Sequence, residues 1–528
     1  MAKKPLVDPD PLELYNLGAL GMIADLKPHL LPPEAFSNSN NVRFNTDGVS
    51  RGQDLGQVFG TLSAVPEFIF NVPAPSANFW LYASLTKVYA YDGTTSTDIT
   101  RTAGNYTVGA GLGRNWQGTL LGNVPVLNNQ ADAPQYWTGL STASKLADLD
   151  GWPSGLRAKI IRAAGPYLIA FNLIDGSAGL QKTIQWSSFA DPGTIPASWD
   201  YNDPTVDAGR AQLTDAKGGE ILEAVLLGNS VVVYTSGSTH VLKYVGGTAI
   251  FSPNLLLTES GILASRCATN YNKGTAQFVV TSDDIIIHTG TQTAQSIVED
   301  KVRKKIFSEL DTQNFANSFA VENTAKKEVW FCYPTKGNTY PDIAFIWNYK
   351  NNTCTFKDID LNSADAGNSY DVDATTWSDD TENWNSDSSP WNQETRNVVI
   401  GVDRSASKAF QIDALYDNVP AAIERTGLAI DGKDRQGNPK ASTKSVKQIN
   451  RMWIKATGTA ILTVRVGSQD VIDGPITWAN PQDFNCAVDE YLDWCVVGKL
   501  LAYRIESTSA DPWTIQGIDF NISVLSQL

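Results

Sequence analysis

Pairs of short apolar runs, each pair joined by turn residues, recur along most of this chain at roughly 40–55-residue intervals. The clearest pair lies in EILEAVLLGNSVVVYTSGSTHVLKYVGG (220–247), where β-branched and aromatic residues dominate both runs. Runs of this length and composition, bounded by Gly, Asn and Ser, are typical of antiparallel strands. Seven candidate units follow one another, at 78–93, 113–129, 158–176, 220–247, 275–290, 326–358 and 398–413.

Repeated strand pairs with almost no helical periodicity predict an all-β chain. We expect residues 61–420 to form a degenerate β-propeller of about six to seven blades, because propeller blades are small antiparallel sheets repeated at this period. The repeats carry no Trp-Asp signature, so the blade number stays open by one or two. A set of stacked β-sandwiches is the alternative architecture. One short helix is expected near 298–310.

The two ends of the chain differ from the repeat. Residues 1–60 are rich in Pro and turn residues, and we predict an extended N-terminal arm that gains order by lying on a neighbouring subunit. Residues 421–443 form a polar, turn-rich linker. In residues 444–528, apolar side chains such as Ile518 and Phe520 alternate with polar ones. This period of two predicts a separate C-terminal β-sandwich.

A Trp-rich acidic segment interrupts the last part of the repeat near 358–395. Trp377, Trp384 and Trp391 stand seven residues apart among Ser, Asp, Asn and Thr. A coiled coil is excluded because these residue types favour caps and turns, and because a heptad needs a second apolar position. We predict an insertion between the last two blades in which each indole is buried under a tight turn. The alternative is that the indoles are exposed as stacking platforms for sugars or as anchors for a fibre protein.

Composition excludes several classes of protein. The net charge of −15 argues against a nucleic-acid-binding surface, since affinity for phosphate depends on Lys and Arg. The five cysteines are scattered and odd in number, which predicts reduced thiols from a cytosolic site of synthesis. No apolar stretch approaches the length of a membrane-spanning helix, so we expect no membrane segment.

Motifs that would indicate catalysis are missing. The three histidines, His29, His240 and His288, are isolated, and no nucleophile elbow, phosphate loop or zinc-protease motif occurs. Residues 358–369 begin like a calcium loop, but Ser363 and Ser369 replace the Gly and Glu that the loop needs. We therefore predict no enzyme activity, no catalytic residues, no cofactor and no metal site. Spacing in sequence does not reveal whether two carboxylates form a glycosidase pair in space.

A basic run at 301–305 is the other candidate interaction site. Arg303, Lys304 and Lys305 precede a short apolar pattern that fits one face of a helix. Such a run is usually a solvated helix surface. The more specific hypothesis is a contact between subunits, in which these residues face an acidic neighbour.

Several segments, in order, resemble the tail nozzle proteins of short-tailed bacteriophages, also called tail hub or tail stabilisation proteins. The opening MIADLKPHLLPPEAFSNSNNVRFNTDGVSRGQDLG is similar to the arm that leads into the propeller of that family. The resemblance continues through segments that lie at 183–192, 198–204, 240–264, 326–335, 458–470 and 500–507, and in the Trp-rich repeat. It covers most of the chain, although the Trp repeat and residues 428–444 depart in detail.

The resemblance implies a structural virion protein of the phage tail, made in the cytoplasm of the host bacterium. In that family six copies form a ring below the head-to-tail adaptor protein. The homohexamer extends the DNA ejection channel, lets phage DNA pass without specific binding, and carries the tail needle, plug or fibre proteins below. The alternative function is a β-propeller that binds or degrades glycans at the host cell surface.

Overall fold

The computed structural model describes residues 12–74, 78–109, 116–138, 140–215, 217–247, 249–369, 396–433 and 439–527. Strands dominate these ranges, and they begin in the predicted arm. The first five are β1 (Leu12–Leu14), β2 (Asn38–Asn40), β3 (Val42–Asn45), β4 (Gly48–Arg51) and β5 (Asp54–Thr61), with a 3-10 turn at Pro28–Leu30.

Seven four-stranded antiparallel sheets then follow within the described residues. The first three are β6 (Phe68–Pro73), β7 (Asn78–Ala83), β8 (Val88–Tyr91) and β9 (Ser96–Asp98); β10 (Gln117–Leu121), β11 (Val124–Asn128), β12 (Gln135–Tyr136) and β13 (Ala147–Asp148); and β14 (Leu156–Ala164), β15 (Tyr167–Asp175), β16 (Ala178–Trp186) and β17 (Gly209–Gln212).

The fourth and fifth sheets precede the α-helix. They are β18 (Ile221–Leu227), β19 (Ser230–Thr235), β20 (Thr239–Gly246) and β21 (Ile250–Leu257), then β22 (Ala268–Tyr271), β23 (Ala276–Val280), β24 (Ile285–His288) and β25 (Gln295–Ser296). Helix α1 (Arg303–Glu309) and a 3-10 turn (Phe315–Asn317) lead to the sixth sheet. The last two sheets are β26 (Phe319–Asn323), β27 (Glu328–Tyr333), β28 (Ile343–Asn348) and β29 (Thr353–Asp358), then β30 (Ser363–Ser369), β31 (Arg396–Asp403) and β32 (Lys408–Leu415) with β5.

These sheets are the blades of a β-propeller. The first strands of successive blades contact one another in order, and β30 of the last blade contacts β6 of the first, which closes the ring. Blade 7 takes its fourth strand from the N-terminal side of the chain, since β5 pairs antiparallel with β32 through Gly56 and Gln411. The predicted propeller is therefore confirmed, and the blade number is seven.

Alternation within the blades explains how the apolar runs form the core. In β15, Tyr167, Ile169 and Phe171 pack into the core shared with blade 4. The intervening Leu168 and Ala170 pack into the core shared with blade 2. Successive side chains of a strand point to opposite faces of its sheet, so a central blade strand buried on both faces becomes a continuous apolar run.

The remaining strands form a two-sheet sandwich and a separate two-stranded sheet, in which Ile430–Lys433 pairs with Pro439–Ala441. They are β33 (Ala421–Leu428), β34 (Ile430–Lys433), β35 (Pro439–Ala441), β36 (Ser445–Gly458), β37 (Ile461–Gln469), β38 (Thr477–Trp478), β39 (Gln482–Asn485), β40 (Tyr491–Gly498), β41 (Leu500–Ser507) and β42 (Trp513–Gln527). One sheet has the order β3-β4-β42-β36-β40, with β1 also on β42, and the other has the order β2-β33-β41-β37-β38, with β39 also on β37.

The sandwich differs from the predicted domain boundaries. The arm does not stand apart, because Leu12 pairs with Phe520 in one sheet and Ser39 pairs with Ile423 in the other. The predicted linker 421–443 begins with β33, which is a full member of the second sheet. Strands this short have no stable fold alone, and here the C-terminal strands of the same chain supply their hydrogen-bonding partners.

The Trp-rich segment also lies elsewhere than predicted. Its described flanks, β30 and β31, pair with each other in blade 7, so the segment connects two strands of one blade and does not separate two blades. Trp377, Trp384 and Trp391 fall outside the described residues. Both hypotheses for the indoles, burial under turns and exposure for binding, stay predictions.

Candidate functional site

A buried ion cluster joins the arm to the propeller. The Arg43 guanidinium in β3 donates from Nε to Glu328 Oε1 at 2.7 Å and from Nη2 to Glu328 Oε2 at 2.9 Å and to Asp413 Oδ2 at 2.5 Å. Burial opposes the charge on Arg43, but the two carboxylates outweigh it and raise the pKa of Arg43 well above its usual range. The cluster ties the sandwich to blades 6 and 7 at once, because Glu328 opens β27 and Asp413 lies in β32.

The carboxylates of this cluster have further partners. Trp330 Nε1 donates to Glu328 Oε2 at 3.2 Å, and Asn323 Nδ2 donates to Asp413 Oδ2 at 2.7 Å. Charged groups are tolerated in the interior only when they are paired and hydrogen-bonded, and these are. Sequence reasoning missed the cluster, since Arg43 is separated from its partners by 285 and 370 residues. The only signal was the VRF segment that contains Arg43.

The basic run forms the first half of α1. Asp25 of the arm accepts hydrogen bonds from the backbone N–H groups of Lys304 (2.8 Å) and Lys305 (3.2 Å) at the start of the helix. Lys305 donates to Glu309 at 2.7 Å, and its ammonium lies 5.0 Å from the Phe356 ring centroid. Lys305 is therefore engaged within its own subunit. Arg303 is half-buried and Lys304 is exposed, so the three residues share a helix without forming one uniform patch.

The described part of the acidic segment is also engaged within the chain. Asp358 accepts a hydrogen bond from Asn40 of the arm at 2.6 Å, and Asp360 accepts one from Ser405 at 3.0 Å. Asp365 lies deeper, in the channel of the propeller. These carboxylates are thus engaged within the subunit, and the acidic residues at 371–394 fall outside the described ranges.

The propeller channel contains a cavity of about 500 Å³ lined by the first strands of the blades. Arg162 Nη2 donates to Glu223 Oε1 at 2.6 Å, and its Nη1 donates to Gln117 Oε1 at 3.1 Å. Glu223 Oε2 accepts from the backbone N–H of Arg266 at 2.8 Å, and Arg266 Nη1 donates to Ser363 Oγ at 3.1 Å. This network links blades 2, 3, 4 and 7 across the channel to the segment that precedes blade 5.

One carboxyl group of the channel, that of Asp365, has a raised pKa. Burial raises the pKa of Asp365 to about 6, although the backbone N–H groups of Asn71 and Ala366 stabilise its ionised form. Glu223 instead forms an ion pair with Arg162. The channel thus holds one carboxyl that titrates near neutral pH beside one that is paired with a cation.

A second buried polar network surrounds His288. Gly290 donates its backbone N–H to His288 Nδ1 at 3.1 Å, so Nε2 carries the proton and donates to the Tyr234 hydroxyl at 2.8 Å. Tyr234 in turn donates to Gln277 Oε1 at 2.6 Å. Burial lowers the pKa of His288 to about 4, because desolvation disfavours the charged imidazolium. The histidine is a core residue of blade 5, as an isolated histidine at the end of an apolar strand predicts.

No group of three or more His, Cys, Asp and Glu side chains in the described part of the chain could hold a metal ion. Within the same ranges, no helix has the length and apolar character to cross a membrane. All five cysteines are free thiols, as the sequence predicts; four are buried and Cys495 is exposed.

Comparison with known proteins gives only distant structural likenesses. No family model matches the chain, and no curated protein matches it. Among solved structures, the chain is similar to the Cps50 (Swd1) β-propeller domain of Myceliophteria thermophila, with 9% identity and a TM-score of 0.39 over 69% of this chain and 99% of that one. BBS1N, solved with ARL6DN, matches at 9% identity and a TM-score of 0.36 over 69% and 96%.

A third similar structure is PorZ of Porphyromonas gingivalis, an essential bacterial surface component of a type-IX secretion system. It matches at 8% identity and a TM-score of 0.35, over 70% of this chain and 42% of PorZ. The chain therefore spans less than half of PorZ. The strand order within the blades establishes the propeller fold independently of these likenesses.

Proposed function

We propose that this chain is a structural subunit of the tail nozzle of a short-tailed phage. Six copies would form a ring below the head-to-tail adaptor, extend the DNA channel and carry the needle, plug or fibre proteins. The protein would act without catalysis, in the virion, after synthesis in the host cytoplasm. The ordered resemblance of its segments to the nozzle family is the basis of this proposal.

The proposal rests on the contacts between the segments that resemble the nozzle family. Arg43 belongs to the VRF segment and Glu328 to the KKEVWFCYPT segment, and they form the buried pair between arm and propeller. The GTAILTVRVGSQD and LLAYRIES segments pair as β37 and β41, through Val464 and Ile505 among others. Segments that resemble the family thus contribute both to the contact between arm and propeller and to one sheet of the sandwich. Their positions in the interior of the protein, and not on its surface, support the proposal.

The path for DNA in this proposal is the bore between subunits. The propeller channel is crowded, since the Phe70 ring lies 2.7 Å from the position that a Cβ on Gly118 would take. Its cavity of about 500 Å³ has no room for a duplex whose major groove alone is about 12 Å wide. The net charge of −15 per subunit suits a bore that does not adsorb passing DNA.

Electron microscopy of tails tests the proposal directly. We expect density for this chain as a six-fold ring directly below the adaptor, with each propeller and its sandwich resolved. A ring of any other number would contradict the proposal, as would a chain that is absent from purified virions. The isolated protein at low salt is expected to be mainly monomeric, because six acidic subunits repel one another until the adaptor templates them.

The basic helix gives a sharper test at the level of residues. Arg303→Glu with Lys304→Glu reverses two cations of α1 that have no role in the i,i+4 pair, and leaves Lys305 and Glu309 intact. We expect a folded monomer that fails to enter tails. Lys326→Glu with Lys336→Glu makes the same charge change at exposed positions and serves as the control. Normal incorporation of the first variant would remove α1 from the subunit interface.

A glycan-degrading propeller is the second candidate, and the two channel carboxyls favour it. Glycosidases use two carboxyl groups in different environments. In the channel, burial raises the pKa of Asp365 to about 6, whereas Glu223 forms an ion pair with Arg162. Purified protein would then release reducing sugar from host envelope polysaccharide, and Asp365→Asn would abolish the release. If the wild-type protein releases no sugar, the tail nozzle is the one candidate function of the two that stands.

A further inference from the structure

An aromatic cleft of about 390 Å³ lies between blades 3 and 4. One wall is the Gly165-Pro166 turn that joins β14 and β15, and the other is the Gly228-Asn229 turn that joins β18 and β19. Both glycines have positive φ, +59° and +58°, as the first position of a type II′ hairpin turn requires. The two walls are equivalent turns of adjacent blades, so hydrogen-bonded hairpins fix the width of the cleft.

The floor of the cleft is aromatic. Tyr167 packs edge-on against Phe251 at 5.4 Å between ring centroids and against Phe189 at 6.1 Å, and Tyr244 lies 6.1 Å from Tyr167. Tyr167 and Phe251 are buried, whereas Tyr244 is 58% exposed and Phe189 is 51% exposed. Two ring faces are therefore open to solvent at a concave site, and the apolar core does not account for them.

A difference between the two blades opens this space. Tyr167 is the first residue of β15, and the equivalent first residue of β19 is Ser230. A ring stands on one side of the cleft and a hydroxymethyl group on the other, so the volume beside Tyr244 and Phe251 stays unfilled. The Tyr167 hydroxyl lies 3.2 Å from Asp207 Oδ2 and donates to it, since burial and this carboxylate raise the pKa of Tyr167 to about 12.

The lining selects for a neutral ligand. No charged side chain is among the described residues that line the cleft, in a protein whose net charge is −15. An anion would find no cation on the lining, and the nearby Asp207 carboxylate already accepts a hydrogen bond from the Tyr167 hydroxyl. The polar groups present are the Ser230 hydroxyl, the Asn229 amide, the tyrosine hydroxyls and the backbone of the two turns. The volume is at the lower end of the range for small-molecule sites, about 300–1,000 Å³.

We propose that this cleft binds a neutral pyranose ring. A pyranose has one face of C–H bonds, which would stack on Tyr244 and Phe189, and a rim of hydroxyls, which would reach Asn229 and Ser230. A flat protein interface is a poorer fit, because a specific interface buries more than about 1,000 Å² of surface and this site is a concave pocket. The inference does not depend on the nozzle, since the cleft would bind sugar in a monomer as well as in a ring.

Saturation-transfer NMR on the whole protein tests the cleft. The probes are the methyl pyranosides of glucose, galactose, mannose and N-acetylglucosamine, with N-acetyltyrosinamide standing for the aromatic side chain of a partner protein. We expect at least one pyranoside to bind in the millimolar range, with the strongest transfer to the protons of one ring face. Tyr244→Ala and Phe189→Ala should each weaken this binding by about tenfold, and Phe189→Trp should preserve it.

Tyr416→Ala is the matched control, because Tyr416 is a partly exposed tyrosine away from the cleft, and it should leave the binding unchanged. Because Tyr244 is exposed, Tyr244→Ala should fold normally, and its melting temperature checks this. Three results would overturn the proposal. These are no transfer to any pyranoside, equal transfer in wild type and Tyr244→Ala, and binding of N-acetyltyrosinamide that excludes every sugar. The last would identify the cleft as a docking site for a protein side chain.

Discussion

The propeller and the sandwich are both antiparallel β-structure. Blades 1 to 6 are built from strands that are neighbours in the chain, whereas most strand pairs of the sandwich join distant segments. In blades 1 to 6 every strand pairs with its neighbour in the chain, for example Tyr82 with Tyr89 across one turn. In the sandwich, Leu12 pairs with Phe520 and Ser39 pairs with Ile423. The comparison shows that the local repeat forms the propeller, and that segments distant in the chain join the propeller to the sandwich. Blade 7 combines both kinds, since it has two consecutive strand pairs and one distant strand, β5.

Removal of the arm should have the largest effect, because it breaks every distant strand pair that β1 to β4 make. Deletion of residues 1–53 takes away β1 to β4 and leaves β5 in blade 7. It also removes Phe36 and Phe44 from the core that the sandwich shares with blades 4, 5 and 6. We expect the sandwich to lose its fold, a cost comparable to the whole stability of a domain, about 5–15 kcal/mol. Circular dichroism and the thermal transition would report it.

The sequence instead predicts an extended arm that gains order by lying on a neighbouring subunit. Deletion of residues 1–11 removes none of the described strands and is the control. A soluble 1–53 deletion with the wild-type melting curve would mean that the distant pairings are not needed for stability.

Arg43→Ala should have the next largest effect. Loss of the guanidinium leaves Glu328 and Asp413 buried without a cation, and breaking a buried pair in this way costs about 3–5 kcal/mol. Urea unfolding monitored by fluorescence gives the free energy. Arg43→Met combined with Glu328→Gln and Asp413→Asn should recover most of the loss, because no unpaired charge remains.

The exposed pair of Arg451 and Asp493 offers the matched comparison within the sandwich. Arg451→Ala should cost no more than about 1 kcal/mol, the usual value for a surface ion pair. Equal effects of the two arginine substitutions would show that the Arg43 cluster does not fasten the two bodies together.

His288 should make the propeller sensitive to mild acid. Its pKa is lowered to about 4 in the folded protein, against about 6.5 in the unfolded chain, so the unfolded chain binds the proton first. The stabilisation is complete above about pH 6.5 and is lost as the pH falls toward 4, by about 3 kcal/mol in total. Melting temperatures of wild type and His288→Gln between these pH values should converge as the pH falls.

Asp365 opposes this trend and can be separated from it. Its pKa is raised to about 6, so its folded form binds a proton before the unfolded chain does, and it contributes stability that is complete below about pH 3.8 and lost as the pH rises through 6. Asp365→Asn should therefore steepen the loss of stability in acid. An unchanged pH profile in both variants would show that neither group titrates differently in the folded protein.

Thiol labelling should give the smallest effect and compares the two bodies directly. A maleimide should modify one cysteine per native chain, Cys495 in β40, and five in the unfolded chain. The buried thiols resist because burial raises their pKa values, to about 12 for Cys267 and Cys354. Mass spectrometry counts the adducts. Rapid native labelling of Cys354, which lies beside the arm, would show that the joint opens readily.

The repeat of the propeller was predictable because each hairpin is local. The runs at 78–93 become β7 and β8 almost residue for residue, and the helix expected near 298–310 is α1. The seventh blade was harder, since β5 pairs with β32 from more than 300 residues away and no local pattern indicates a partner. For the same reason the arm's short strands were predicted as extended chain, although they are members of two sheets.

The interaction residues were only partly predictable. The sequence placed Arg303, Lys304 and Lys305 on a helix, but the contact of Lys305 with Glu309 and Phe356 depends on which face of the helix meets the propeller. The ion cluster of Arg43 and the aromatic cleft each bring together residues from separate segments. Both are consequences of the fold, and a motif within one segment contains no information on them.

The pairing of β1 with β42 also has a consequence for biosynthesis. Leu12 leaves the ribosome long before Phe520, its strand partner. At about 5–20 residues per second, the early strands wait tens of seconds with unpaired edges. Blade 6 can close before β33 and β42 are synthesised, and these are the distant partners of β1, β2 and β4. A ring interface that includes the sandwich therefore cannot exist on a nascent chain. Translation itself would hold back assembly until the subunit is whole.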